Sequence, residues 1–157
     1  MPRRYRPEKR VPLPDSVYNN VRVAKFINRL MQRGKKSTAE GIFYDAIDIL
    51  DAKDSEQSGV ELFFTALDKA RPLVRVKSRR VGGSTYQVPM EVDDAMGEAI
   101  ASRWIIGFSR KRGGRSMSER LAAELWEISS GGGATMKKRD ETHRMAEANK
   151  AFAHYRY

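Results

Sequence analysis

The stretch Arg71–Val92, RPLVRVKSRRVGGSTYQVPMEV, lies between segments with helical periodicity and has none itself. Pro72 closes what precedes it, since proline removes a backbone donor and biases the residue before it away from the helical region. Two extended runs then face each other across Val81-Gly82-Gly83-Ser84, where the glycines supply the positive φ of a tight hairpin turn. Going out, Val74 and Val76 alternate with Arg75, Lys77 and Arg79; coming back, Tyr86, Val88, Met90 and Val92 alternate with Gln87, Pro89 and Glu91. A period of two predicts that these apolar side chains share one face and that most of the basic ones take the other. Pro89 cannot donate to a ladder, which suits a strand with an open edge. A lone two-stranded ribbon is marginal in water, so this one must rest partly on a helical body and partly on something else. Residues 71–90 carry five Lys/Arg and no acid, which points to a polyanion. A solvated edge guarded by charge against aggregation is the alternative.

Helical segments flank the ribbon. From about Asn19 to Arg33, Val23, Phe26, Ile27, Leu30 and Met31 recur at helical spacing, and Gly34 ends the run. Arg22, Lys25, Arg29 and Arg33 fall at three- and four-residue steps and form one basic stripe. Gly34-Lys35-Lys36 is then a basic turn or a plain connector. Ser37-Thr-Ala-Glu40 has the form of a capping box, followed by Ala39, Ile42, Phe43, Ala46, Ile47 and Leu50 to about Lys53. After a polar loop from Asp54 to Gln57, Ser58-Gly-Val-Glu61 is a second box. It opens a helix with Val60, Phe63, Phe64 and Leu67 inward, and those aromatics read as core rather than as a platform for bases. Beyond the ribbon, Asp93 or Asp94 caps a helix in which Met96, Ala99, Ile100, Trp104, Ile105 and Phe108 recur; as the most apolar segment it is expected at the centre. Ser109–Arg115 is expected to be a basic, Gly-rich loop. Ser116-Met-Ser-Glu119 is a third box, leading Leu121, Ala122, Leu125, Trp126 and Ile128 to a stop at Gly131–Gly133. A last helix from about Thr135 to Asn149 offers only Met136, Met145, Ala146 and Ala148 inward.

The expected fold is therefore mainly α: a single domain, 1–157, of about six helices with one protruding two-stranded β-hairpin arm at 72–92. Residues 1–15, with four prolines and five basic residues, read as a basic extended arm, free to lie along phosphates or simply frayed. The tail 150–157 mixes aromatics with Arg156, a combination that suits stacking on single-stranded RNA and equally suits packing on the body.

Composition narrows the function. The net charge is +10, from 30 Lys/Arg and 20 Asp/Glu, which favours nucleic acid or an anionic membrane surface as partner. Its distribution is the stronger signal. Residues 1–36 hold eleven basic and two acidic side chains, 37–70 two and eight, and 91–109 one and four, while 110–115 hold four and none. Basic residues gather in termini, ribbon and loop, as on a scaffold that presents patches. There is no Cys, hence no disulfide framework or thiolate metal site. No apolar run approaches the ~20 residues of a membrane span, and the arginine-rich start has no signal-peptide core, so a cytoplasmic location is expected. His143 and His154 have neither metal-ligand spacing nor a serine at a strained turn, and no glycine run leads into Lys-Ser/Thr. No enzyme activity, cofactor, metal or small-molecule substrate is expected.

Three long strings carry a resemblance. Phe26-Ile-Asn-Arg-Leu-Met-Gln-Arg-Gly-Lys-Lys-Ser-Thr-Ala-Glu-Gly-Ile-Phe-Tyr-Asp-Ala46, Val76–Val92 and His143–Tyr157 are similar to bacterial-type small-subunit ribosomal protein seven, and the likeness spans nearly the whole chain. That resemblance implies six helices with a long β-ribbon and a primary binder of small-subunit ribosomal RNA that nucleates folding of the head. It also implies a place at the subunit interface near the exit-site tRNA, and contact with ribosomal proteins nine and eleven. By match of strings it assigns RNA contact to Lys35, Lys36, Lys77, Arg79 and Arg80, and more loosely to Arg110, Lys111, Arg112 and Arg115. Arg3, Arg4, Arg6, Lys9 and Arg10 join them on position and charge, and the reading of the residues adds Arg22, Lys25, Arg29 and Arg75. Arg79, Arg80, Gly82, Gly83, Tyr86, Tyr155, Arg156 and Tyr157 are the implied neighbours of tRNA. Charge alone does not choose RNA over DNA. An architectural DNA-binding protein with a basic β-arm is the rival, although such arms insert an apolar wedge at the tip, and here the tip is Val-Gly-Gly-Ser. A membrane-surface protein fits less well, since no helix sets a large aromatic face against a lysine-rich one.

Overall fold

The computed structural model describes residue 8, residues 11–53 and residues 57–156, the last for its backbone alone. The expectations for Arg3, Arg4, Arg6, Lys9, Arg10 and Tyr157, for the Arg156 side chain and for most of the loop 54–57 lie outside the described residues. Among the described residues the chain is mainly helical with one antiparallel hairpin, and it forms two compact units, 1–40 and 41–157, divided within α2.

In the first unit, Asp15 Oδ2 accepts from the amides of Val17 and Tyr18, both at 3.1 Å, and turns the chain toward α1 (Val21–Leu30). Asn20 caps α1 by accepting from Arg22 N at 2.7 Å. Val23, Phe26, Ile27 and Leu30 are its buried stripe. The helix is shorter than its apolar spacing predicts: the chain leaves it at Met31, where ψ is 138°, and then turns through Arg33 and Gly34 at φ 54° and 76°. That turn is closed by Lys35 N on Gln32 O and Lys36 N on Gly34 O. It leaves Lys35 O to accept the first bond of α2 (Lys36–Lys53), from Ala39 N. Ser37 therefore lies inside the helix instead of capping it, and Glu40 pairs with Lys36 at 3.4 Å.

The second unit continues α2 into α3 (Gly59–Ala70), β1 (Val74–Val81), β2 (Ser84–Glu91), α4 (Asp94–Lys111), α5 (Met117–Ser129), α6 (Gly133–Ala148) and 3-10 turns over Lys150–Arg156. Phe43, Ala46, Ile47 and Leu50 are wholly buried, and Phe63 of α3 meets Phe43 edge-on at 5.1 Å. Gly59 opens α3 so close to α2 that a Cβ there would lie 2.6 Å from the Ile47 carbonyl oxygen. Ser58 stands at the cap position but makes no cap bond; Asp51 takes the Gly59 amide in its place. Asp93 likewise caps α4 by position only, while Asp94 binds Arg71 at 2.9 Å. Only the third box forms, and only in half: Ser116 Oγ accepts from Glu119 N, but Glu119 reaches back to Arg115 N.

The buried side of α4 matches its large apolar residues only in part, Ile100 and Ile105 lying inward as expected. Gly97, Ile100, Ala101, Ser102, Ile105, Ile106 and Ser109 are buried, whereas Trp104 and Phe108 are half-buried and Met96 is exposed. Ser102 and Ser109 donate to the carbonyls of Glu98 and Ile105, both at 2.7 Å, so each hydroxyl is satisfied by its own helix and packs as a small residue. Met145, expected inward on α6, is exposed, while Thr135, Met136, Thr142 and Ala146 are buried. The helices α3 to α6 pack on one another, and α6 and the 3-10 segment carry the root of the hairpin.

Candidate nucleic-acid interface

Gly82 and Gly83, at φ 58° and 89°, form the two-residue turn that the sequence predicts, pairing Val81 with Ser84. That turn overturns the expected division of the ribbon into an apolar and a basic face. Direct partners share a face, and the register sets Arg75 opposite Met90, Lys77 opposite Val88 and Arg79 opposite Tyr86. Val74 and Val76 lie on the other face with Glu91 and Pro89. Arg75 and Arg79 are accordingly half-buried beside apolar neighbours, and Val88 is wholly buried. Lys77 and Arg80 are exposed, on opposite faces, so the ribbon presents positive charge on both sides.

The ribbon is anchored at its root by polar contacts that fix its exit from the body. His143 Nε2 accepts from Leu73 N at 3.0 Å, and Val92 N donates to Leu73 O. Gly97 lets α4 pass against Arg71, whose Cγ lies 2.6 Å from where a Cβ would stand. An anchoring role for His143 leaves no signal at the level of sequence, because its partner is a backbone amide 70 residues away.

Two further basic groups are set by backbone geometry. In the α1–α2 turn, Arg33, Lys35 and Lys36 are all exposed, and the left-handed backbone at Arg33 is unusual for a side chain of that size. Arg33, which its spacing assigns to the basic stripe of α1, belongs to this turn. Arg22, Lys25 and Arg29, the rest of the stripe, are only half exposed. Toward the other end of the chain, α4 runs on through Arg110 and Lys111, which the sequence assigns to a loop; basic side chains suit the negative end of a helix. Arg110, Lys111 and Arg115 are exposed. Arg112 is not presented in the same way. Its guanidinium bonds Glu127 and also meets Glu124 at 3.3 Å.

The tail packs on the hairpin. Tyr86 meets Phe152 at 5.3 Å and Tyr155 at 5.0 Å, and His154 lies against Tyr155 at 4.0 Å. Two such pairs at about 0.5–1.5 kcal/mol each predict that Tyr86→Ala speeds amide exchange over 150–156 about tenfold or more, with α3–α5 unchanged. Equal exchange in mutant and wild type would mean that other contacts hold the tail.

The described residues offer neither a metal centre nor a membrane span. They contain no group of three His, Cys, Asp or Glu able to hold a metal, and no helix long and apolar enough to cross a membrane. The geometry offers exposed cations on a turn, a ribbon and a helix end, which is the means of holding a phosphate backbone.

The comparisons with known proteins agree. The family model described as ribosomal protein S7p/S5e matches residues 2–150. The chain is 58% identical over 157 residues to the small ribosomal subunit protein uS7 of Gemmatimonas aurantiaca, covering all of both chains. It is 55% identical to that of Desulfotalea psychrophila and 53% to those of Campylobacter jejuni, again over the full length of each.

Proposed function

The chain belongs to the ribosomal protein S7p/S5e family, and on that premise, as a structural, non-enzymatic protein of the small ribosomal subunit that binds its RNA, we propose that it is a primary binder of the head-domain rRNA and nucleates folding of the head. The observation that supports this most is the grouping of exposed cations. Arg33, Lys35 and Lys36 on the turn, Lys77 and Arg80 on the ribbon, and Arg110, Lys111 and Arg115 at the end of α4 are all exposed. They take phosphates, and Arg75, Arg79, Arg22, Lys25 and Arg29 lend charge from half-buried positions. The N-terminal Arg3, Arg4, Arg6, Lys9 and Arg10 extend the contact.

The same proposal places the whole chain in the cytoplasmic ribosome as one RNA-binding domain beside ribosomal proteins nine and eleven. The hairpin tip (Arg79, Arg80, Gly82, Gly83), Tyr86 and the tail residues Tyr155, Arg156 and Tyr157 lie toward the exit-site tRNA. The packing of Tyr86 on Tyr155 supports treating tip and tail as one surface. Gly82-Gly83 at the tip offers no wedge to insert between base pairs, which disfavours the bent-DNA alternative.

A footprint of the purified protein on isolated small-subunit rRNA is the test. Protection is expected to cluster in the head domain; protection spread evenly over the molecule would leave only non-specific binding.

A further inference from the structure

Among the basic residues at the end of α4, one, Arg112, is half-buried and taken up by contacts within the protein. Glu124 of α5 is 1% exposed, yet it is a carboxylate. Three groups hold it: Thr135 Oγ1 donates at 2.7 Å, Thr135 N at 3.2 Å, and the Arg112 guanidinium lies at 3.3 Å. Arg112 also donates from Nη1 to Glu127 Oε1 at 2.8 Å and pairs through Nη2 with Glu127 Oε2. A fork held by two carboxylates has its orientation fixed. The glycine run makes room for it. Gly133, at φ 89°, would bring a Cβ to 3.3 Å from Glu127 Cβ and Oε2 and 3.5 Å from Glu124 Oε1. Arg112 is the residue that ends α4, directly after Arg110 and Lys111 and three before Arg115. The clamp thus ties the start of the basic loop to α5 and to the first turn of α6.

We propose that Glu124 and Glu127 are positioning residues for RNA binding: they hold Arg112 as an internal strut, and this presents Arg110, Lys111 and Arg115 to phosphates in one fixed arrangement. The inference deepens the RNA-binding reading and rests on it. It reverses the expectation that Arg112 itself contacts RNA. It also fixes a sign. Removing a carboxylate from a protein that binds a polyanion raises affinity by electrostatics alone, whereas loss of the strut lowers it, because a disordered loop must be ordered on binding.

The experiment measures binding of the full chain to a head-domain rRNA fragment at several salt concentrations. Glu127→Gln, Glu124→Gln and Arg112→Lys are compared with wild type, each checked for unfolding midpoint. Glu127, 44% exposed in its side chain, and Arg112→Lys, which keeps the charge, are the variants expected to fold without difficulty. All variants that fold are expected to bind about 3–10-fold more weakly. That loss should vanish in a background with Arg110, Lys111 and Arg115 changed to Gln, since no presented cations then remain to position. Unchanged or tighter binding by Glu127→Gln, unchanged binding by Arg112→Lys, or a loss that persists in the triple background would overturn the inference. Absence of salt-dependent binding by wild type would overturn the RNA-binding reading with it.

Discussion

Changing Lys35, Lys36, Lys77, Arg80, Lys111 and Arg115 together to Gln is expected to flatten the salt dependence of rRNA binding by roughly 4–5 in log–log slope. Each neutralised phosphate contributes about 0.7–0.9 to that slope, and all six side chains are exposed. Stability should move little, because surface changes away from caps and buried partners are usually within about 0.5 kcal/mol each. Two exceptions are small: Lys36 gives up its pair with Glu40, in which it is 62% exposed, and such pairs contribute about 0–1 kcal/mol, while Lys111 gives up its place 6.0 Å over the Phe108 ring. Affinity should fall for all RNA sequences alike, since phosphate contacts position without reading bases. Binding titrations at four or more salt concentrations, with thermal unfolding alongside, separate the two effects. A slope unchanged from wild type would mean that these residues form a solvated surface and that RNA binds elsewhere.

The largest effect on stability is expected at Gly59. A methyl group there meets the Ile47 carbonyl oxygen at 2.6 Å and Ile47 Cγ2 and Leu50 Cβ at 3.1 Å. None of these is the end of a flexible side chain, so α3 must shift away from α2, and the Gly59 amide then loses Asp51. Overpacking of this kind costs about 1–3 kcal/mol, which for a chain of this size is a fall in Tm of several degrees. Gly59→Val should cost more. Gly41→Ala, with nothing within 4 Å of its Cβ, is the control and should be neutral or slightly stabilising. A Gly59→Ala protein that melts with wild type would show that the α2–α3 crossing yields more easily than its geometry suggests.

The order of elements was legible because each is punctuated locally: Pro72 after α3, the Gly82-Gly83 turn, the glycines between α5 and α6. The faces were less so. The expected pairing of Val74 and Val76 with Val88 and Met90 came from reading each strand by itself. A two-residue turn pairs odd-numbered with even-numbered positions, so Val81-Gly82-Gly83-Ser84 already implied that Val76 and Val88 lie on opposite sides. On α4 the bulk of Trp104 and Phe108 masked the part that Gly97, Ser102 and Ser109 take in the buried side beside Ile100, Ile105 and Ile106: all three are small, and the two serine hydroxyls are satisfied by their own helix. The capping boxes failed where a neighbouring turn or a distant side chain, such as Asp51 for Gly59, met the same amides first. Of the candidate site, the positions of the cations were legible and their availability was not. Nothing near Arg112 in sequence announces Glu124 and Thr135 as its setting, and burial of Arg75 and Arg79 depends on the register.

A preference of these exposed cations for structured ribosomal RNA over polyanions in general is what the proposed function requires. Its most direct test is competition between a head-domain rRNA fragment and duplex DNA of the same length for the unmodified protein, at low and at near-physiological salt. Steeply salt-dependent binding to both, with the rRNA fragment retained at salt that releases the DNA, is the predicted result. Equal affinity for the two at every salt concentration, or a slope near zero on the rRNA, would contradict it.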